Sequence, residues 1–292
     1  MIKKKASVIC NRPKPLEKPF TFDISKDVQL RIYPDNRPRN MEIAALQKGL
    51  VLVANGLELI EEGAGFGVPI VKYSDATYFS RTATVYIREQ NENAVTITKV
   101  FSLDSVSRKV VHGAVIDDDI YSVLHKTFEK AYLHYGKLRS FFDWMMELRR
   151  IIGIETRFDK VLPRGKVTVN YHCCPDNIKV YADFSEVERK RCREILILNE
   201  QGATFFRNSR LNGNAVLQKR KIGPWTRVDA EKAEFFYIEK GISFSLENRD
   251  GAVMYCGWEQ IRDKLSWAGI TCALNPRTLV FSYNIRLLEN QT

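Results

Sequence analysis

The chain has 292 residues, 45% of them apolar and 11% aromatic, and its 45 lysines and arginines against 35 aspartates and glutamates give a net charge of +10. That length and composition carry a sizeable core, as one large β domain or two ordinary ones, and exclude a disordered chain or a small disulfide scaffold. No run approaches the roughly 20 consecutive apolar residues that span a bilayer. Asn11, Arg12, Lys14 and Lys18 interrupt the basic start before a signal-peptide core forms, so the expectation is a cytoplasmic protein with no membrane segment.

Residues 1–27 read as an irregular basic arm, and 28–292 as one domain. Val28 to Tyr33 alternates apolar and polar, the pattern of a half-buried strand, until Pro34 and Pro38 break it. Leu50 to Ile87 holds strand-like stretches around a glycine-rich loop, Glu61-Glu62-Gly63-Ala64-Gly65-Phe66-Gly67. A dinucleotide fingerprint needs G-x-G-x-x-G followed by a helix. Here the spacing is G-x-G-x-G, and Pro69 leads into the β-prone Ile70-Val71-Lys72-Tyr73. With no helix N-terminus to hold a phosphate, the glycines read as a turn or bulge that admits another backbone closely. Asn55-Gly56 predicts a hairpin between Val51–Val53 and Leu57–Leu59. Thr77 to Phe79, Thr82 to Ile87 and Ala94 to Leu103 continue the β pattern.

The period then changes. After Asp117-Asp118-Asp119, apolar side chains recur from Ile120 to Ile152 at helical spacing. One long helix over about 118–152 is predicted, with acids at its positive end, Arg149 and Arg150 at its negative end and Gly153 as its stop. Its apolar face would lie on a sheet or on a second copy of the chain.

Past the helix the chain reads as β again, with strands at Lys166 to Cys173, Ile178 to Phe184 and Ile195 to Leu198. Ser185-Glu186-Val187-Glu188 fits a capping box opening a short helix to about Cys192. Asn199 to Gly202 reads as a turn, and Ala203 to Arg207 as the start of a further strand. Asn212-Gly213 predicts a second hairpin; Asn248 to Gly251 closes another onto Ala252 to Cys256, and Thr271–Leu274 and Thr278–Leu288 form a last pair. The whole is a mainly β chain, a large antiparallel β-sandwich with one long inserted α-helix.

Chemistry is sparse. The six cysteines include no C-x-x-C pair and the four histidines no H-E-x-x-H, so neither a metal site nor a cofactor is expected. His125 and Glu129 share a helical face, which reads as a local hydrogen bond. In the strand after Lys166, His172 and Cys174 fall on one face and Cys173 on the other, so adjacency makes no Cys-His pair. Turn carboxylates such as Glu58, Asp75, Asp176 and Glu200 would serve as acid and base only if two of them met. Glu61 and Glu62 are candidates for the mouth of a sheet cleft. Trp225 is a candidate platform for a ring, with Arg207, Arg220, Lys221 and Arg227 as cations to hold an anion, in a stretch free of acidic residues.

Strand-rich chains of this size with long paired strands are similar in architecture to the large β-sandwich carbohydrate enzymes and binding proteins related to galactose mutarotases. The resemblance implies a carbohydrate ligand on a concave sheet face, lined by tryptophan or tyrosine, carboxylates and arginine. It extends to no catalytic motif, so no catalytic residue is assigned. The expectation is therefore a β-sandwich that binds or acts on carbohydrate. Two alternatives stand beside it: a basic protein binding nucleic acid or another polyanion through 207–227, and a non-catalytic interaction protein that forms a homo-oligomer through the long helix.

Overall fold

A computed structural model describes residues 14–34, 46–91, 93–111, 114–116, 151, 153–216, 226–249, 251–261 and 265–289. The strands among these residues are, in order, β1 (Phe20–Asp23), β2 (Val28–Ile32), β3 (Val51–Ala54), β4 (Leu57–Glu58), β5 (Gly65–Tyr73), β6 (Thr77–Phe79), β7 (Thr82–Gln90) and β8 (Val95–Ser102). There follow β9 (Ser105–Val111), β10 (Ala114–Ile116), β11 (Ile154–Lys160), β12 (Lys166–Cys174), β13 (Asn177–Asp183), β14 (Cys192–Gln201), β15 (Asn208–Leu211) and β16 (Asn214–Val216). The last are β17 (Thr226–Arg227), β18 (Lys232–Tyr237), β19 (Ile242–Glu247), β20 (Ala252–Ile261), β21 (Leu265–Leu274) and β22 (Val280–Glu289).

They form antiparallel sheets. The β14 sheet runs β10-β9-β6-β5-β14-β21-β20-β17, with β11 also on β9. The β12 sheet runs β16-β15-β18-β19-β22-β13-β12-β8-β7. A small sheet, β1-β2-β3-β4, is joined to the β14 sheet through the bridge of Leu50 to Phe66. The two large sheets pack face to face, because each strand turns alternate apolar residues inward. In β12 and β13 the inward set is Val167, Val169, Tyr171 and Cys173 with Ile178, Val180 and Ala182, all fully buried. Phe66 of the β14 sheet meets Phe244 of the β12 sheet edge to face at 5.2 Å.

Polar bonds also cross this interior. The buried Tyr171 hydroxyl donates to the carbonyls of Phe66 and Gly67, at 3.0 and 3.2 Å, and the Tyr283 hydroxyl donates to Asn199 Oδ1 at 2.8 Å. Burial raises both phenols well above their ordinary pKa, so they stay protonated as donors. The glycine-rich loop is what lets the sheets close. Gly67 is the extra residue of a bulge opposite Leu198 and Asn199, with φ of 78°, and a Cβ there would lie 2.7 Å from the Tyr171 ring. A Cβ on Gly49 would strike the Phe66 carbonyl. These glycines serve sheet packing, as the loop's spacing implies.

Both Asn-Gly hairpins form. Asn55 and Gly56 carry φ of 49° and 79°, Asn212 and Gly213 of 49° and 80°, the left-handed pair such a turn demands. Elsewhere the structure corrects the sequence reading. Phe20–Asp23, placed in the irregular arm, is strand β1, with Phe22 buried against the core. The capping box at Ser185 opens no helix: Ser185 N–H bonds Asp183 Oδ1, Glu188 N–H bonds the Arg164 carbonyl, and Arg189 holds the carbonyls of Phe184 and Pro276. Asn199-Glu200-Gln201 is the end of β14 rather than a turn, and Ala203 to Phe205 is a turn rather than a strand. The segments after Asn248 and Asn275 close no hairpins. Each carries the chain from one large sheet to the other, since β19 and β22 pair with each other while β20 and β21 pair in the β14 sheet.

No α-helical element lies among the described residues. The expected helix over 118–152 falls outside them except at Ile151, and the oligomer surface expected on it falls there too. No helix among the described residues is long and apolar enough to cross a membrane.

Candidate functional site

Alternation puts a second set of residues on the outward face of the β12 sheet. Pairing register then aligns them in rows across five strands. One row is Ser282, Tyr181, Asn170, Thr98 and Tyr86; the next is Asn284, Lys179, His172, Thr96 and Glu89. At about 4.8 Å per strand, Tyr181 and Tyr86 stand about 14 Å apart with Asn170 and Thr98 as the floor between them.

The floor is ordered by its own bonds. Thr98 Oγ1 donates to Asn170 Oδ1 at 2.6 Å and accepts from Arg88 Nε at 3.3 Å. Arg88 reaches it because the register slips between Ile87 and Glu89, and this bulge re-aims the side chain so that its guanidinium lies 5.3 Å from the Tyr86 ring centre. With its carbonyl oxygen engaged, Asn170 has an amide NH2 with no hydrogen bond among the described residues. His172 Nδ1 lies 3.1 Å from Thr96 Oγ1, which orients the ring. Tyr181 is 40% exposed, and Val280 in the strand beyond Ser282's row is 44% exposed. An open concavity of about 510 Å³ lies over β22, lined by Lys179, Arg249, Val280, Ser282 and Asn284 with Phe281 and Tyr283; Tyr181 and Asn170 stand beside it on the next strands rather than in its lining. The rows present an aromatic face, an amide, hydroxyls and an imidazole, a set suited to holding a polyhydroxylated ring, with two cations at its margin.

The residues singled out in sequence lie elsewhere. Glu61 and Arg207 come to one turn: Glu61 Oε2 accepts from Thr204 N–H at 3.2 Å and from the Ser266 hydroxyl, and Arg207 Nε donates to the Thr204 carbonyl at 2.7 Å. Trp258 closes the same turn through Nε1 to the Ala203 carbonyl at 3.2 Å. Glu62 is exposed beside it. Arg227 is exposed on β17, the far edge strand of the β14 sheet. Trp225, Arg220 and Lys221 lie outside the described residues, as do His125 and Glu129.

Glu58, Asp75 and Glu200 are each held by separate partners. Glu58 accepts from Arg31 at 2.7 Å and from Tyr33, and Asp75 takes a two-pronged bond from Arg164 at 2.9 Å that holds its carboxyl below the ordinary range. Glu200 is 8% exposed, and its hydrogen bond is to Ala64 N–H at 2.9 Å; burial pushes its pKa up to about 7. Across the strands it is flanked by Gly65 and Gly269. Cys173 faces inward with its thiol pushed up to about 12 by burial, while His172 faces outward, as alternation implies. Among the described residues no three His, Cys, Asp or Glu side chains converge as a metal site.

Tyr181, Asn170, Lys179, Ser282, Asn284 and Arg249 were not singled out in sequence. The available signal was the alternation of β12 and β13, which marks their outward residues but not which strand lies beside which.

No protein-family model matches the chain, and no curated protein matches it in sequence. Solved structures that align with it include the α-N-acetylgalactosaminidase NagBb from Bifidobacterium bifidum, in complex with GalNAc, at a TM-score of 0.48 and 10% identity over 92% of this chain. The chain spans 36% of that enzyme's length. The Slr1438 protein from Synechocystis sp. PCC 6803 aligns at a TM-score of 0.40 and 8% identity, over 99% of this chain and 100% of its own. A putative aldose 1-epimerase from Escherichia coli K12 aligns at 0.38 and 7%, over 93% of this chain and 100% of its own.

Proposed function

We propose that the protein binds carbohydrate on the outward face of the β12 sheet, with the Tyr181 ring as its platform. The observation that carries this reading is the row Ser282, Tyr181, Asn170, Thr98, in which an exposed aromatic side chain stands beside an amide whose NH2 is free to donate. A sugar ring is apolar on the face where its C–H groups gather and polar around its rim. The Tyr181 ring takes the first, and Asn170, Ser282, Asn284 and His172 take the second. Their positions are set by paired strands rather than by loops, so little ordering entropy opposes binding. The 207–227 stretch supports a polyanion reading less well, because two of its cations are engaged at home: Arg207 with Thr204, and Arg210 over the Phe236 ring at 4.6 Å.

The test is a thermal-shift screen across neutral, amino and acidic sugars with wild type and Tyr181→Ala. A ligand at about 100 times its Kd stabilises the fold by about 2.7 kcal/mol. The expected outcome is a sugar that raises the wild-type Tm by several degrees and leaves Tyr181→Ala unmoved. Equal shifts in both proteins, or no shift across the panel, overturn the proposal.

A further inference from the structure

We infer that the sugar bound on this face is acidic, and that Lys179 and Arg249 hold its oxyanion. The inference rests on the carbohydrate reading above and adds the charge of the ligand. Lys179 stands outward on β13 between Asn284 and His172, and Arg249 stands on the crossing turn between β19 and β20. That turn is fixed at both ends: Asn248 N–H bonds the Glu231 carbonyl at 2.7 Å, and Ala252 N–H bonds the Arg249 carbonyl at 3.1 Å. Both side chains border the same concavity, whose lining among the described residues contains no carboxylate.

Their neighbours differ. Arg286, two residues along β22 from Asn284, is paired with Glu247 at 3.2 Å. Lys72, Arg31, Arg164 and Lys232 each have a carboxylate partner in the fold. Among the described residues no carboxylate lies within ion-pair distance of Lys179 or Arg249, although the chain has 35 acidic residues to offer. Two cations facing one hollow, with no carboxylate partner among the described residues, raise its potential and draw an anion into it. An ammonium with three donors and a guanidinium fork with five match the oxygens of a carboxylate or of a sulfate ester. Lys179 is two residues from Tyr181 on the same face of β13, and Asn284 and Ser282 pair with them from β22, placed for the sugar hydroxyls next to the charged group.

The experiment titrates wild type, Lys179→Gln and Arg249→Gln with three versions of one hexose: neutral galactose, galacturonate and galactose 6-sulfate, with inorganic sulfate as a fourth ligand. Both side chains are exposed, so the variants are expected to keep the wild-type Tm. The expected result is that an acidic sugar binds wild type about 10-fold or more tightly than the neutral one, as charge-assisted bonds allow. Each substitution then removes most of that preference and leaves neutral-sugar binding in place. The galacturonate and sulfate arms distinguish a carboxylate ligand from a sulfate ester. Equal affinity for neutral and acidic sugars overturns the inference and leaves the carbohydrate reading standing. Binding of inorganic sulfate with no sugar bound, or no binding by any of the four, overturns both.

Discussion

Two polar stretches lie in the middle of the two large sheets and behave in opposite ways. At the end of β14, Asn199 and Glu200 are buried, and each carries a hydrogen bond from far along the chain: Asn199 from Tyr283 and Gly67, Glu200 from Ala64. On β12 and β13, Asn170, His172, Lys179 and Tyr181 face outward, and donors on them are left unused. The difference separates two uses of polar residues in strands. Where a buried oxygen is answered from far along the chain, the residue fixes how sheets close, even though the Asn199 and Gln201 amide nitrogens have no partner there among the described residues; where a donor faces the outside of the sheet, it is available to a ligand.

Substitutions in the closed region should cost stability in graded amounts. Gly49→Ala has the largest expected effect, because the new Cβ meets the Phe66 carbonyl and both belong to paired backbone. A loss of about 4 kcal/mol or more, or failure to fold, is the expected outcome in urea unfolding; a loss under 1 kcal/mol would mean the backbones are not so close.

Glu200→Gln should act in the opposite direction and only at higher pH. The folded-state pKa of about 7 exceeds the ordinary 4.5, so the folded protein holds a proton that the unfolded chain releases first. Stability due to this group is complete below about 4.5 and is lost as pH rises to about 7, a change of about 3 kcal/mol. The glutamine variant keeps an acceptor for Ala64 N–H and has nothing to ionise. It should match wild type near pH 4 and exceed it in Tm at pH 8; a parallel pH profile for the two would contradict the burial of a lone carboxyl.

Asn199→Ala strips an acceptor from the Tyr283 hydroxyl and Gly67 N–H at once, with an expected cost of about 2 kcal/mol. Chemical denaturation of this variant beside Tyr283→Phe gives a double-mutant cycle, in which simple additivity would show the two do not interact. Tyr181→Ala, by contrast, should change stability by no more than about 0.5 kcal/mol while abolishing sugar binding. A large loss of stability there would place Tyr181 among the structural residues instead.

The same two regions show what a sequence discloses. Hairpins at Asn55-Gly56 and Asn212-Gly213 were legible because their chemistry is local: two residues that tolerate positive φ. The glycine loop was legible in outline, since Pro69 and the strand after it left no helix for a phosphate. Asn199-Glu200-Gln201 was misread as a turn because polar residues in succession resemble one. What makes them a strand is backbone pairing with β5 and β21, far away in the chain on either side. Ser185 was misread for a related reason, since Arg164 and Arg189 redirect the carbonyls and amides that a helix would have used. Tyr181 was invisible as a site residue because alternation gives its face but not its neighbours. Asn170 and Ser282 reach it only through pairings with β12 and β22. The crossings after Asn248 and Asn275, which send β19 and β22 to one sheet and β20 and β21 to the other, are what bring those strands together.

A crystal structure with the best-binding sugar soaked in tests the Tyr181 platform most directly. The expected result is the sugar ring against the face of Tyr181, with carbon contacts near 4 Å, and a hydroxyl accepting from the Asn170 amide. A sugar seated at the Glu61 and Arg207 turn, with Tyr181 bare, would contradict it.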